Sequence, residues 1–137
     1  MEHYVLDSSA VIAYFKDEAG AEKVETCLNE ATISSCIIFM HNASVAEIYY
    51  DSLYGGSEQD ADVVLKTLAS YPITFIETIS SDLIKQIGYF KTNYKISFAD
   101  SFVLASAKLI DAKVLTSDHH EFDVIEKSGD IMFEWIR

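Results

Sequence analysis

The sequence predicts an α/β protein, a parallel sheet of short strands covered by helices. Three observations carry that prediction. Short apolar runs alternate with longer runs of helical period along nearly the whole chain. The first strand-like run, Tyr4-Val5-Leu6, is short and apolar, as expected of a strand covered on both faces. Finally, Asp7, Glu47, Asp100 and Asp118 fall where a strand-like run gives way to a helix-like run, or one turn into that helix. In a parallel sheet those points share one edge, where ligands bind at the carboxyl ends of strands.

Residues 4–6 form the first predicted strand, followed by a helix over 8–15 and a second from 19 to about 29. In that second helix Ala21, Val24 and Leu28 share a face, while Glu22, Lys23 and Glu25 point to solvent. Residues 35–40 read as the second strand and 44–53 as a helix, which Gly55-Gly56-Ser57 ends. A helix over 58–70 turns Ala61, Val64, Leu65 and Leu68 inward, Pro72 breaks it, and 73–76 is the third strand. Ser80 or Ser81 caps a helix reaching Tyr94, with Leu83, Ile84, Ile87 and Phe90 facing in. Residues 98–110 are apolar on most sides and predict a central helix. Residues 113–116 and 131–135 complete the five strands, with a polar turn at Asp118 after the fourth.

At 137 residues, half of them hydrophobic, the chain is one domain over residues 1–137 with a real core. No apolar run is long enough to predict a membrane span. The start, Met1-Glu2-His3, lacks a basic leader, and Cys27 and Cys36 sit among apolar neighbours. Both point to a cytoplasmic protein with reduced thiols. The net charge of −12, from 22 acids against 10 bases, argues against broad adhesion to nucleic acid or an anionic membrane. It leaves a nuclease open, because cations in an acidic pocket reverse the local field.

Taken singly, each acid has a structural explanation. Asp7 suits a helix N-cap. Glu47 lies in Ser44-Val45-Ala46-Glu47, a capping-box pattern in which it would reach back to the Ser44 amide. Asp100 stands three residues after Ser97 but has a short arm for such a box, and one turn into a buried helix it needs a partner. Asp118 suits a cap or an Asx turn, with Thr116 placed to orient its carboxylate. Taken together, caps do not account for acids repeated at one sheet edge, since Ser, Thr or Asn would serve without repulsion. A hard cation of the Mg²⁺ or Mn²⁺ type among them would account for the set, and cleavage of phosphate esters is the chemistry such sites serve.

The remaining candidates carry less signal. His41 reads as a capping or packing residue and His119-His120 as an exposed pair in a turn. Glu121 and Asp123 read as a solvated rim, Asp123 with an outer role toward a cation. Among the bases, Lys91 and Lys95 precede Ser97 and could meet an RNA backbone, with Lys16 a third choice; a solvated helix face is the stronger reading of all three. Tyr49, Tyr50, Leu53 and Tyr54 exceed what one buried helical face needs, which leaves core packing or a partner surface. No nucleophilic triad, phosphate-cradling glycine loop or zinc spacing is present.

The chain closely resembles the PIN domain, in particular the small single-domain VapC-type toxins. The resemblance runs through Tyr4-Val5-Leu6-Asp7-Ser8-Ser9-Ala10 and Asn42-Ala43-Ser44-Val45-Ala46-Glu47-Ile48-Tyr49-Tyr50. It continues through Ile96-Ser97-Phe98-Ala99-Asp100-Ser101-Phe102-Val103-Leu104-Ala105 and Val114-Leu115-Thr116-Ser117-Asp118, with Glu121-Phe122 just after. It implies a PIN-like three-layer fold, a central five-stranded parallel sheet with helices on both sides. It also implies an Mg²⁺- or Mn²⁺-dependent endoribonuclease with Asp7, Glu47, Asp100 and Asp118 as its acidic cluster. A small antitoxin partner and a homodimer are further implications, and the acidity of this chain suits a basic antitoxin.

On this basis Asp7, Glu47, Asp100 and Asp118 are the expected cation-holding set, with Asp7 and Asp100 as principal ligands and Asp118 completing the site directly or through water. Glu47 is expected to hold or deprotonate the attacking water, and Ser8, Ser97 and Thr116 to orient carboxylates. A PIN-fold scaffold without catalysis is the alternative, although a scaffold has no use for the repulsion among the acids. A phosphatase or phosphoacceptor domain would place Asp-x-Asp after the first strand, where this chain has Asp7-Ser8-Ser9.

Overall fold

The computed structural model describes residues Met1–Arg137. Its elements run β1 (Glu2–Leu6), α1 (Ser8–Phe15), α2 (Ala21–Thr32), β2 (Cys36–His41), α3 (Asn42–Gly55) and α4 (Glu58–Ala69). They continue with β3 (Ile73–Ile76), α5 (Ser81–Asn93), α6 (Phe98–Ile110), β4 (Lys113–Thr116), α7 (His119–Ser128) and β5 (Phe133–Trp135). All strand pairings are parallel, in the order β3-β2-β1-β4-β5. The chain therefore winds outward from β1 through β2 to β3, then returns to the other side of β1 for β4 and β5. The switch point, where a crevice opens at the carboxyl ends of the strands, lies between β1 and β4. Leu6 pairs with Leu115 there, and the Asp7 amide extends the ladder by donating to the Leu115 carbonyl at 3.1 Å.

Strand periodicity divides the core into two layers. Tyr4, Leu6 and Leu115 pack on one face with Ala10, Val24, Ile48 and Leu68 of α1, α2, α3 and α4. Val5 and Val114 pack on the other with Phe90, Leu104 and Phe122 of α5, α6 and α7. Both faces are covered, which is why Tyr4-Val5-Leu6 of β1 and Val114-Leu115 of β4 are apolar on consecutive positions. Helix α6 is buried from Asp100 to Ala107, as its composition predicts. Gly20 precedes α2 at φ +96°, where a side chain would meet the Ile136 carbonyl 2.6 Å away, so that turn requires glycine. Cys27 and Cys36 are free and buried, and burial pushes the Cys27 thiol up to about 11.

Several expectations need correction. The stretch expected as a polar turn after β4 forms helix α7, with Asp118 at its N-cap and only Phe122 and Ile125 buried. Two apolar anchors spaced three apart are too weak a pattern to mark a helix. Helix α3 starts at Asn42 with His41 as N-cap, so Ser44 lies buried within the helix and the Ser44–Glu47 capping box does not form. Ile84 and Leu65 are 57% and 43% exposed rather than inward. β5 begins at Phe133, two residues later than expected.

Candidate functional site

Each acid reaches the switch point from a different element. Asp7 follows β1 and occupies the N-cap position of α1, yet its side chain makes no cap bond. Its Oδ2 instead accepts from Ser9 Oγ at 2.7 Å and Thr116 Oγ1 at 2.8 Å. Its Oδ1 is buried without any partner. Glu47, half-buried on α3, accepts from Ser8 Oγ at 3.1 Å through Oε1. Asp100 sits in the first turn of α6, where Ser97 Oγ accepts its backbone amide at 3.1 Å. Asp118 caps α7, its Oδ1 accepting the Glu121 amide at 3.2 Å.

Electrostatics tie the four into one group. Burial raises the Asp7 carboxyl, and the charge of Asp118 adds to the rise against the Ser9 and Thr116 hydroxyls. Burial likewise raises Glu47; Ser8 opposes this, and Asp7 and Asp118 reinforce it. Asp100 is pushed up to about 7, first by burial and then by Asp7, with smaller contributions from Asp118 and Glu47. No Lys, Arg or His forms an ion pair with any of the four. Charges gathered in a low-dielectric crevice without counter-ions are costly.

The donor set and the orphaned Asp7 Oδ1 fit a hard divalent cation, since all the donors are carboxylate oxygens. As they stand, no three Asp, Glu, His or Cys side chains close tightly enough to enclose an ion. A Mg²⁺-type ion is compatible with that spacing, because it keeps several waters and is held by one or two carboxylates.

The supporting residues act differently from expectation in one respect. Thr116 orients Asp7, not the Asp118 carboxylate; its oxygen accepts the Asp118 amide at 3.0 Å. One buried hydroxyl thus links the two acids that flank the β1–β4 crevice. Thr116→Val keeps the shape but removes both bonds, and is expected to cost about 1–3 kcal/mol in urea unfolding. An unchanged midpoint would show that the link carries no weight. Ser9 escaped the sequence reading; its only signal was a hydroxyl two residues after Asp7, a local hydrogen-bonding position.

The other candidates separate cleanly. His41 Nδ1 accepts from the Ala43 amide and its Nε2 donates to the Thr78 carbonyl, each at 3.0 Å, which leaves no nitrogen for a metal. Asp123 bonds His119 Nδ1 at 2.8 Å rather than facing the acids, and His119 stacks on Trp135 with ring centroids 3.8 Å apart. Lys16 lies 3.8 Å from Asp51. Lys91 donates to the Ile96 carbonyl at 2.6 Å and so braces the loop ahead of α6, while Lys95 lines an open cleft with Ser97, His120 and Glu121. On α3, Tyr49 is half-buried, whereas Tyr50, Leu53 and Tyr54 are exposed.

The PIN domain family model matches residues 4–127, a span that contains all four acids. This chain belongs to the PIN domain family. Its fold is shared with VapBC2 from Rickettsia felis bound to a promoter DNA fragment, at 17% identity, TM-score 0.74 and coverage of 97% of this chain and 98% of that one. DNA-bound VapBC from Salmonella typhimurium matches at 12% identity and TM-score 0.75, over 100% of both chains. VapC20 of Mycobacterium tuberculosis, described as a sarcin-ricin loop cleaving toxin, matches at 12% identity and TM-score 0.66, over 88% of this chain and 94% of that one. No curated protein matches the sequence. The three-layer α/β architecture of this PIN domain is the one the resemblance implied, and no helix is long and apolar enough to cross a membrane.

Proposed function

We propose that this protein is a Mg²⁺- or Mn²⁺-dependent endoribonuclease and the toxin of a VapBC-type pair. The observation that carries the reading is the convergence of Asp7, Glu47, Asp100 and Asp118 from four elements on one crevice with no basic partner. Asp7 and Asp100 are the principal cation ligands and Asp118 completes the site. A cation of this class, when bound, acidifies a bound water and neutralises charge on a phosphoryl oxygen.

The protein's own groups do the rest. Burial and the neighbouring Asp7 and Asp118 charges raise the Glu47 carboxyl, and the Ser8 hydroxyl donates to its Oε1 at 3.1 Å. Glu47 holds the attacking water and takes its proton. Ser9 and Thr116 anchor one oxygen of Asp7, which leaves Oδ1 free. The amide bonds at Asp100 and Asp118 hold those two residues at the helix starts.

Fold likeness to VapBC proteins supports an antitoxin partner. A net charge of −12 suits a small basic one, and Tyr50, Leu53 and Tyr54 offer an exposed apolar surface for it or for a second copy of the chain. The test is incubation of partner-free protein with mixed cellular RNA in Mg²⁺, Mn²⁺ or EDTA. Cleavage with either metal and none in EDTA is expected. Equal cleavage in EDTA, or none with metal, contradicts the reading.

A further inference from the structure

An acidic enzyme that cuts a polyanion must supply positive charge where the strand lies. Of the ten Lys and Arg side chains, only Lys66, Lys85, Lys95 and Lys127 take part in no ion pair or hydrogen bond. Lys95 stands apart from the others by its setting. With Ile96, Ser97, His120 and Glu121 it lines an open, largely polar cleft of about 510 Å³, a volume suited to a nucleotide.

Both walls of that cleft are bonded to the acidic site. On one wall Ser97 Oγ accepts the Asp100 amide at 3.1 Å. On the other the Glu121 amide donates to Asp118 Oδ1 at 3.2 Å. The loop that carries Lys95 is held at both ends: Lys91 grips the Ile96 carbonyl at 2.6 Å, and Tyr94 Oη donates to Ser128 Oγ at 2.8 Å. The Lys95 ammonium is therefore presented from a fixed backbone. Across the cleft His120 is almost wholly exposed, its nearest charged neighbour being Glu121 at 4.0 Å.

We infer that the Lys95–His120 cleft binds the phosphate of an RNA nucleotide next to the bond being cut, with the Lys95 ammonium and a His120 ring N–H as its donors. The inference rests on the ribonuclease reading for its substrate class. Lys91, by contrast, donates to the Ile96 carbonyl and is a positioning residue for the loop that carries Lys95.

The test follows binding of a fluorescein-labelled mixed-sequence single-stranded RNA by anisotropy at several KCl concentrations, in EDTA and in Ca²⁺. Lys95→Gln and His120→Gln are compared with wild type and with Lys66→Gln, an exposed control on α4. Both cleft variants are expected to bind severalfold more weakly. Lys95→Gln should also lower the salt slope by about 0.7, the share of one single-strand phosphate contact. Lys66→Gln should change neither quantity. Either cleft variant binding as tightly as Lys66→Gln would overturn the assignment, as would absence of RNA binding by wild type in both buffers. Because binding is read without turnover, the two readings fail separately. RNA bound through Lys95 but uncut in Mg²⁺ would remove the ribonuclease and keep the cleft; metal-dependent cleavage with an unchanged KM in Lys95→Gln would do the reverse.

Discussion

Asp100→Asn and Asp7→Asn are each expected to lower RNA cleavage by about 10²- to 10³-fold or more, the scale of losing one strong electrostatic contact to a transition state. Both substitutions keep size and shape while removing a charge that no basic side chain pairs with. Asp7 lends itself best to the comparison, because its Oδ2 bonds to Ser9 and Thr116 can be met by the Asn carbonyl. What is lost is the charge and the second oxygen, Oδ1, which no protein group uses. Asp118→Asn should keep helix α7 intact, because Asn caps as well as Asp, and so isolates the same loss at the other side of the crevice. Cleavage by Asp100→Asn at the wild-type rate would refute the site. Circular dichroism should read all three variants as folded.

The second large effect is on stability, and its sign is the reverse of the usual carboxylate case. Asp100 titrates near 7 in the fold against an ordinary value of 3.8. Between those values the folded chain binds more protons than the unfolded one, so stability falls as pH rises through that window. Asp7 and Glu47 are raised as well and act in the same direction. Asp100→Asn lacks its part of the effect. In EDTA the variant's Tm should exceed that of wild type by a margin that widens from pH about 4 to about 7 and reaches several degrees. Adding Mg²⁺ at pH 7 should narrow the margin, since a ligand of the folded state stabilises wild type by mass action. A margin that stays flat with pH would mean that Asp100 does not carry the repulsion described.

The placement of Asp7 and Asp118 at strand ends was legible in sequence because it depends on local position. An acid directly after Tyr4-Val5-Leu6, or directly after Val114-Leu115-Thr116-Ser117, must sit at a strand's carboxyl end whatever the rest of the chain does. The burial of α6 was legible for a similar reason, as its apolar residues leave no polar side to face water. Features that depend on distant partners were not legible. Thr116 turns to Asp7, more than a hundred positions away in sequence, and nothing near Thr116 announces this. The Ser44–Glu47 pattern was overridden because the His41 ring caps α3 and Ser8 binds Glu47. Helix α7 was hidden by its polarity: Asp118 and two buried anchors suffice once the sheet supplies the other side of the contact. Ile84 fits an inward helical stripe by spacing, but α6 covers only the Leu83, Ile87 and Phe90 side of α5.

The proposed ribonuclease requires that Asp7, Glu47, Asp100 and Asp118 form one cation site. Calorimetric titration of Mn²⁺ into wild type and Asp100→Asn at pH 7 tests it most directly, without any need for the RNA target. Saturable binding by wild type, lost or greatly weakened in Asp100→Asn, is expected. Equal binding by the two proteins, or none by folded wild type, would contradict it.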